Sequence, residues 1–214
     1  FKTPISTIAI STEVLRDPGI IHTPERLLNY ATIIQNENNR LKQQVERVLQ
    51  MARFEKEDIG LKKEILDVHD LIREATKNIS LSLEEKKGKI ELHLEAQSTK
   101  VSVDRLHFTN VFYNLLDNAI KYTNTAPEIH ISTKTINSSI HIEIKDNGFG
   151  ISEENHKKIF HRFYRVPTGN LHDIKGFGLG LNYVKSIVEA HKGKISIESE
   201  PGKGSTFKLS VPTA

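Results

Sequence analysis

Asn114, Asn118 and Lys121 are the first residues here whose types and spacing ask for a chemical explanation. They stand at i, i+4 and i+7 in a segment otherwise rich in Val, Phe, Leu and Ile. On a helix that spacing puts all three on one face. Asn is a poor helix former, so two of them four residues apart cost stability. A solvated face is one reading. The chemical reading is that the Asn118 amide oxygen ligates Mg2+, which keeps waters and phosphate oxygens as its other ligands. Lys121 would then meet a phosphate as a point charge.

Four further segments have chemical potential. Asp146-Asn147-Gly148-Phe149-Gly150 follows an alternating stretch that reads as a strand. Its glycines let the backbone turn and approach a ligand closely. The Asp carboxylate can accept a hydrogen bond from an exocyclic amine such as that of adenine. Taken alone, the segment is better explained as an Asn-Gly turn. Lys175-Gly176-Phe177-Gly178-Leu179-Gly180-Leu181 opens a helical stretch, and free amides at a helix start cradle phosphates. No βαβ unit surrounds it, so it is not a dinucleotide fingerprint. Phe160-His161-Arg162-Phe163-Tyr164-Arg165 sets two arginines beside aromatics. They suit phosphate contact from a loop, or an anchored loop with a solvated basic edge. Gly202-Lys203-Gly204-Ser205-Thr206 lies in a final hairpin and is by itself only a turn.

Two kinds of element must position these residues. Leu27, Ile34, Leu41 and Val48 recur every seven residues, with Ala31, Asn38, Val45 and Ala52 four after each. This a/d seam predicts a long helix over residues 25–54. Thr23 is placed to cap it and Pro24 suits its first turn. Before it, Ile5, Ile8 and Leu15, with Thr12 between, predict a helix ended by Asp17-Pro18-Gly19. One helical hairpin leaves its seam exposed and two bury it, so a homodimeric four-helix bundle is expected. The alternative is packing on the rest of its own chain. Residues 55–63 are polar and read as a hinge. Beyond it, helices are expected over residues 68–85, 104–121 and 179–191. Strands are expected over 90–96, 101–103, 129–131, 140–144, 194–200 and 205–211. That order predicts an α+β sandwich, mostly antiparallel, with one sheet covered by helices on one face.

Composition bounds the function. The chain has 214 residues, 30 basic and 27 acidic, and no cysteine. Thiolate catalysis, disulfides and cysteine zinc sites are excluded. A net charge of +3 is too balanced for nucleic acid, which is not an expected partner. The ten histidines show no pair at metal-ligand spacing on one helix face. No run of eighteen apolar residues is present, so no membrane-spanning helix is expected.

The five segments in this order are far more specific than any one of them. The chain resembles, over essentially its whole length, the catalytic core of a bacterial sensor histidine kinase. Residues 110–122 look like its N box, 146–150 its G1 box, 160–163 its F box, 176–180 its G2 box and 202–206 its G3 region. Phe1-Lys2-Thr3-Pro4-Ile5 looks like the tail of its H box. The resemblance implies a dimerisation and histidine-phosphotransfer hairpin over residues 1–56, and a Bergerat-fold ATP-binding domain over 61–214. It implies ATP and Mg2+ as cofactors, with Asn118 and, beside it, Asn114 at the metal. Lys121 and Tyr122 would line the nucleotide site, Asp146 would take the adenine amine, and Gly148, Gly150 and Ile151 would shape its pocket. Residues 152–175 would form a mobile segment held at one end by Phe160 and Phe163. Arg162, Arg165 and Lys175 would reach phosphates. Gly176, Gly178, Leu179, Gly180 and Leu181 would place amides on them, with Thr206 near by. Lys121 and Asn114 are the implied catalytic residues.

The family's H box reads His-Glu, one variable residue, Lys or Arg, then Thr-Pro. The sequence begins at the variable residue, so the acceptor histidine is expected two positions before Phe1. His22, ahead of Thr23-Pro24, mimics the motif but lacks an acid after it. Thr3 would orient water for a phosphatase step, or simply pack or cap the helix. A response-regulator receiver domain is the implied partner of a cytoplasmic segment, its parent anchored in the bacterial inner membrane through parts outside this sequence. Two other functions compete. A gyrase-type ATPase carries a Glu base where this chain has Asn114, and an amide cannot take a proton. A dimeric module could bind nucleotide and dock a partner without transfer, as a pseudokinase does.

Overall fold

A computed structural model describes residues 2–55, 60–166 and 178–214. The chain divides into two compact units, residues 1–60 and 61–214. Phe1, Lys175 and Gly176 lie outside the described residues.

The first unit is a helical hairpin of α1 (Lys2–Leu15) and α2 (Pro24–Glu55), joined by a 3-10 turn, Pro18–His22. Asp17 starts the turn by accepting the Gly19 amide on Oδ1 at 2.9 Å. Thr23 begins α2 differently from expectation. Its carbonyl accepts the Arg26 and Leu27 amides, while its hydroxyl turns back and donates to the Ile20 carbonyl at 3.1 Å. The side chain therefore closes the preceding turn and does not cap the helix. The inward face of α1 also differs. Pro4 and Ser11 are buried and Ile8 and Leu15 half-buried, whereas Ile5 is 54% exposed. Thr12 is exposed as well, its hydroxyl on the Ala9 carbonyl. Seven-residue spacing from Pro4 to Ser11 is the same helical periodicity carried by less apolar residues. On α2, Ile34 and Leu41 are half-buried, while Leu27, Ala31 and Asn38 are exposed. Val45, Val48 and Ala52 lie outside the residues whose side chains are described.

The second unit is α+β. It contains β1 (Lys63–Asp67), α3 (Val68–Glu85), β2 (Lys89–Leu94), β3 (Lys100–Asp104) and α4 (Arg105–Lys121). There follow β4 (Glu128–Ile136), β5 (Ser139–Asp146), α5 (Gly180–Ala190), β6 (Lys194–Glu200) and β7 (Gly204–Pro212). Five strands form one sheet in the order β2-β4-β5-β7-β6, antiparallel except for the parallel β2–β4 pair. β1 and β3 form a separate antiparallel pair. The expected single sheet is thus two, and the polar join ends in a strand. β1 escaped the pattern because Glu64 and Ile65 are both exposed and only Leu66 is buried. The last residues are stitched to β3: Val101 bridges Thr213, and the Ala214 amide donates to the Lys100 carbonyl.

Alternation along the central strands turns Ile129, Ile131, Ile140, Ile142, Ile144, Phe207, Leu209 and Val211 inward. Leu71, Ile72, Phe108, Phe112, Leu115, Leu116, Ile187 and Val188 of the helices bury with them. Each such side chain contributes about 1.5–3 kcal/mol on removal from water. Phe108 meets Phe112 edge-on at 5.7 Å and His191 at 5.3 Å.

The start of α4 is held by three backbone amides and a histidine. Asp104 accepts the His107 amide on Oδ1 at 3.0 Å and the Lys62 amide on Oδ2 at 2.9 Å. Its own amide donates to His191 Nε2 at 3.0 Å, and His191 Nδ1–H donates to the Ile187 carbonyl at 2.7 Å. One nitrogen must accept and the other donate, so this buried imidazole is neutral.

Candidate functional site

Asp104, as N-cap, fixes the rotation of α4 and with it the polar face of Asn114, Asn118 and Lys121. Asn114 and Asn118 are both half-buried on that face. Asn114 Nδ2 donates to the Asn110 carbonyl at 2.7 Å, which turns Oδ1 outward. Oδ1 faces the start of α5: a methyl group on Gly180 would lie 2.9 Å from it. A side chain at Gly180 would have to push the Asn114 amide aside, so glycine there leaves that amide room to stand against the α5 N-terminus. The Asn118 side chain makes no hydrogen bond among the described residues, so its amide oxygen is available. Lys121 pairs with the Asp117 carboxylate one turn back. Its ammonium is therefore already neutralised in this arrangement and would have to exchange partners to reach a phosphate.

The end of α4 continues into the Asp146 loop through backbone bonds. Tyr122, 38% exposed, accepts the Phe149 amide on its carbonyl at 2.9 Å. Gly148 packs so closely against that carbonyl and Asp146 Oδ1 that a Cβ would meet them at 2.7 and 2.8 Å. Gly150 has φ +69° and abuts the Glu200 carbonyl, and Gly204, with φ +85°, abuts the Asp146 carbonyl. The Gly202 amide donates to the Phe149 carbonyl. The first and third glycine segments are thus one interlocked wall. Ile151 joins it through its amide, which donates to Ser199 Oγ at 2.8 Å. Thr206, half-buried on β7, pairs in register with Lys145.

Asp146 is the buried carboxylate of this wall, 8% exposed. Burial pushes its pKa above the usual carboxylate value, against two amides that favour the ionised form. Those amides, of Gly148 at 2.8 Å and Ser205 at 3.2 Å, both fall on Oδ1. Among the described residues no donor reaches Oδ2. A carboxylate held rigidly by one oxygen with the other unclaimed is a directional acceptor for an exocyclic amine.

The second glycine segment is brought to the aromatic one. Phe160 is buried and its carbonyl accepts from Asn182 Nδ2 at 2.9 Å. Phe163, expected with Phe160 to hold one end of the segment, is 71% exposed with φ +60°. It is tied through its backbone, its amide donating to the Gly178 carbonyl at 3.0 Å. Gly178, at φ +68°, leaves no room for a Cβ against the backbone of Phe163 and Tyr164. Leu179 is buried and Leu181 half-buried at the start of α5, which has no side-chain cap. Its first amides are therefore available to an anion. Arg162 and Arg165 are exposed. Thr3 is exposed in α1 and belongs to the other unit, its carbonyl accepting from the Thr7 hydroxyl.

Sequence reasoning missed Ser205 and Ser199. Ser205 contributes a backbone amide to Asp146, which any residue could supply. Ser199 Oγ lies within hydrogen-bond distance of the Ile151 amide, the Gly204 carbonyl and the Ser205 hydroxyl. Register across the final hairpin, which pairs Ser199 with Ser205, was the signal that could have found it.

Comparison with known proteins covers the whole chain. A family model for histidine kinase-, DNA gyrase B- and HSP90-like ATPases matches residues 103–214. One for the His kinase A (phospho-acceptor) domain matches residues 1–57. Sensor protein RprX of Bacteroides fragilis is 44% identical over 99% of this chain and 41% of its own length. Sensor protein SrrB of Staphylococcus aureus is 32% identical over 99% of this chain and 36% of its own. The chain thus spans about two fifths of the length of these relatives. Histidine kinase AdeS of Acinetobacter baumannii aligns with TM-score 0.78 at 25% identity, over 99% of this chain and 96% of that one. Histidine kinase ThkA, solved in complex with response regulator protein TrrA, aligns with TM-score 0.74 at 25% identity, over 100% of this chain and 58% of that one.

Proposed function

Because the chain belongs to the histidine kinase family, we propose that it is a sensor histidine kinase core that binds ATP with Mg2+ and transfers the γ-phosphoryl group to a histidine. From there the group passes to an aspartate of a response-regulator receiver domain. The observation that carries the nucleotide reading is Asp146: buried, fixed through Oδ1 by two amides, with Oδ2 open for the adenine amine. Residues 61–214 are the ATP-binding domain in this reading, and residues 1–56 the dimerisation and phosphotransfer hairpin.

Asn118, with Asn114 beside it, fits an Mg2+ that is otherwise held by waters and phosphate oxygens. The ion, when bound, supplies charge neutralisation for the phosphates. The chain's own residues do the rest. The α5 amides of Gly180 and Leu181 hold phosphate oxygens, and Gly148 and Gly150 let the backbone close on the base. Lys121 leaves Asp117 for the phosphates, and Arg162, Arg165 and Lys175 serve the same charge. In the transfer, the imidazole nitrogen lone pair attacks γ-phosphorus and the bond to the β,γ-bridging oxygen breaks, leaving ADP. Positioning and fixed dipoles, not a protein base on ATP, lower that barrier.

The amide at Asn114 also favours transfer over hydrolysis. Its nitrogen is committed to the Asn110 carbonyl, and an amide cannot activate water as a carboxylate base would. Homodimerisation is supported by Ile5, Ile10, Leu27 and Leu28, which are 41–68% exposed on the hairpin. Thr3 fits a phosphatase role by being solvent-accessible. No helix among the described residues is long and apolar enough to cross a membrane; attachment of a parent protein to the inner membrane would come through other segments.

The test adds His-Glu ahead of Phe1 and supplies ATP·Mg2+. Acid-labile, base-stable phosphate should appear on the protein, and Asn118→Ala should abolish it. Nucleotide binding without that phosphate would favour the docking module or pseudokinase. Rapid steady-state ATP turnover would favour the hydrolase.

A further inference from the structure

The sheet has two faces, and only the one covered by helices enters the proposed function. On the other, β2 and β4 run parallel and in register, with Glu91 opposite His130 and His93 opposite Ser132. Glu91 and His93 are two apart on β2, so both point the same way. Glu91 and His93 are exposed and His130 half-buried. Glu91 Oε2 lies 3.2 Å from His130 Nδ1 and 3.8 Å from His93 Nε2. One ligand atom from each of the three falls within 4.8 Å of the others.

We propose that Glu91, His93 and His130 form a binding site for one zinc-class divalent ion. Two imidazoles and a carboxylate are ligands of Zn2+, Ni2+ or Cu2+, whereas Mg2+ prefers an all-oxygen shell. The site is therefore chemically distinct from the one proposed at Asn118. Zn–N bonds of about 2.0–2.1 Å place tetrahedral ligand atoms roughly 3.3 Å apart. The Glu91 Oε2 separations of 3.2 and 3.8 Å are already near that value, and the strand register holds the Glu91 and His130 backbones side by side. Three protein ligands leave one position for water.

Neighbouring charges set the strength. Lys89 Nζ is 3.5 Å from Glu128 Oε1 and 4.0 Å from Glu91 Oε1, so it competes for the carboxylate. Lys145 stands opposite His130 on β5. Both cations weaken the site relative to a closed structural centre. The ion's effect would be to staple β2, at the edge of the sheet, to β4. Binding to the folded state alone raises stability by mass action.

Titration of the untagged chain with ZnCl2 against a chromophoric zinc indicator tests this, with thermal unfolding followed in parallel. One ion per chain should bind. His93→Ala and His130→Ala should each weaken it by about tenfold or more and remove the zinc-dependent rise in Tm. Adenine-nucleotide affinity should be unchanged in both. His141→Ala, on the same face but on β5, should bind zinc as the parent does. Zinc affinity within twofold of the parent in both variants, no stoichiometric binding, or an equal loss in His141→Ala would each overturn the proposal.

Discussion

At the scale of single residues, Asp146 makes the sharpest demand. A hydrogen bond to a charged group is worth about 1.5–3 kcal/mol. Asp146→Asn should therefore raise the Kd for adenine nucleotides roughly ten- to hundredfold, measured by calorimetry. Asn retains an oxygen for the Gly148 and Ser205 amides, so the unfolding midpoint should move much less than the affinity. The pH dependence has a definite sign. Burial raises this carboxyl's pKa above 3.8, so it protonates at a higher pH than an ordinary Asp. Adenine binding should weaken as pH falls through that raised value, and Asp146→Asn should flatten the dependence. Gly150→Ala probes the same wall. Its Cβ would lie 1.8 Å from the Glu200 carbonyl oxygen at a φ of +69°. A loss of about 1–3 kcal/mol or more in unfolding free energy is expected, read by denaturant titration. At this scale sequence was a mixed guide. Asp146 and the glycines could be singled out because residue type suggests their proposed roles, though it was the order of the five segments, not Asp146-Asn147-Gly148 alone, that raised them above a simple turn. Ser205 did not, because an amide bears no side-chain signature. Phe163 is held through its backbone amide, a tie that its residue type does not announce.

Whole elements were the most legible level where side chains did the specifying. α4 could be bounded in advance because Asp104 caps it and the apolar positions of Phe108, Phe112 and Leu115 are helical in period. β1 could not, since its exposed Glu64 and Ile65 show no alternation and its pairing with β3 is a backbone matter. The junction between Asp104 and His191 gives element-scale predictions. Asp104→Ala removes the acceptor of two amides, and a cap alone is worth about 1 kcal/mol. Unfolding free energy should fall by at least that. Burial pushes the His191 pKa below 6.5. The unfolded chain then takes up a proton before the folded one does, so stability is fully present above about pH 6.5. It should decline as pH drops from there toward the lowered folded value. His191→Gln, followed by thermal melts across that range, should lose this component while the rest of the acid sensitivity persists.

The chain divides into two compact units, for which separate tasks are proposed, and the independence of those tasks is testable. Leu28, 68% exposed on α2, is proposed as dimer surface. Leu28→Glu should shift sedimentation equilibrium from dimer toward monomer and leave nucleotide affinity within about twofold, since the perturbed surface belongs to residues 1–60. A fall in nucleotide affinity parallel to the loss of dimer would count against independent units. Heptad spacing announced the hairpin, but which face of α1 turns inward was set by Pro4 and Ser11, too short or polar for a hydrophobic pattern to reveal.

The position of β7 has a kinetic consequence. This strand, the last of the second unit, lies between β5 and β6, and among the described residues β6 pairs with no other strand. Thr213 and Ala214 then tie back to β3, more than a hundred residues earlier. During synthesis, α3, α4 and the β4–β5 hairpin must wait with one sheet edge open until residues 204–214 leave the ribosome. Such long-range closure slows folding, and an open edge invites pairing with another chain. The growing polypeptide thus carries the unpaired edge of β5 in the interval before β7 emerges.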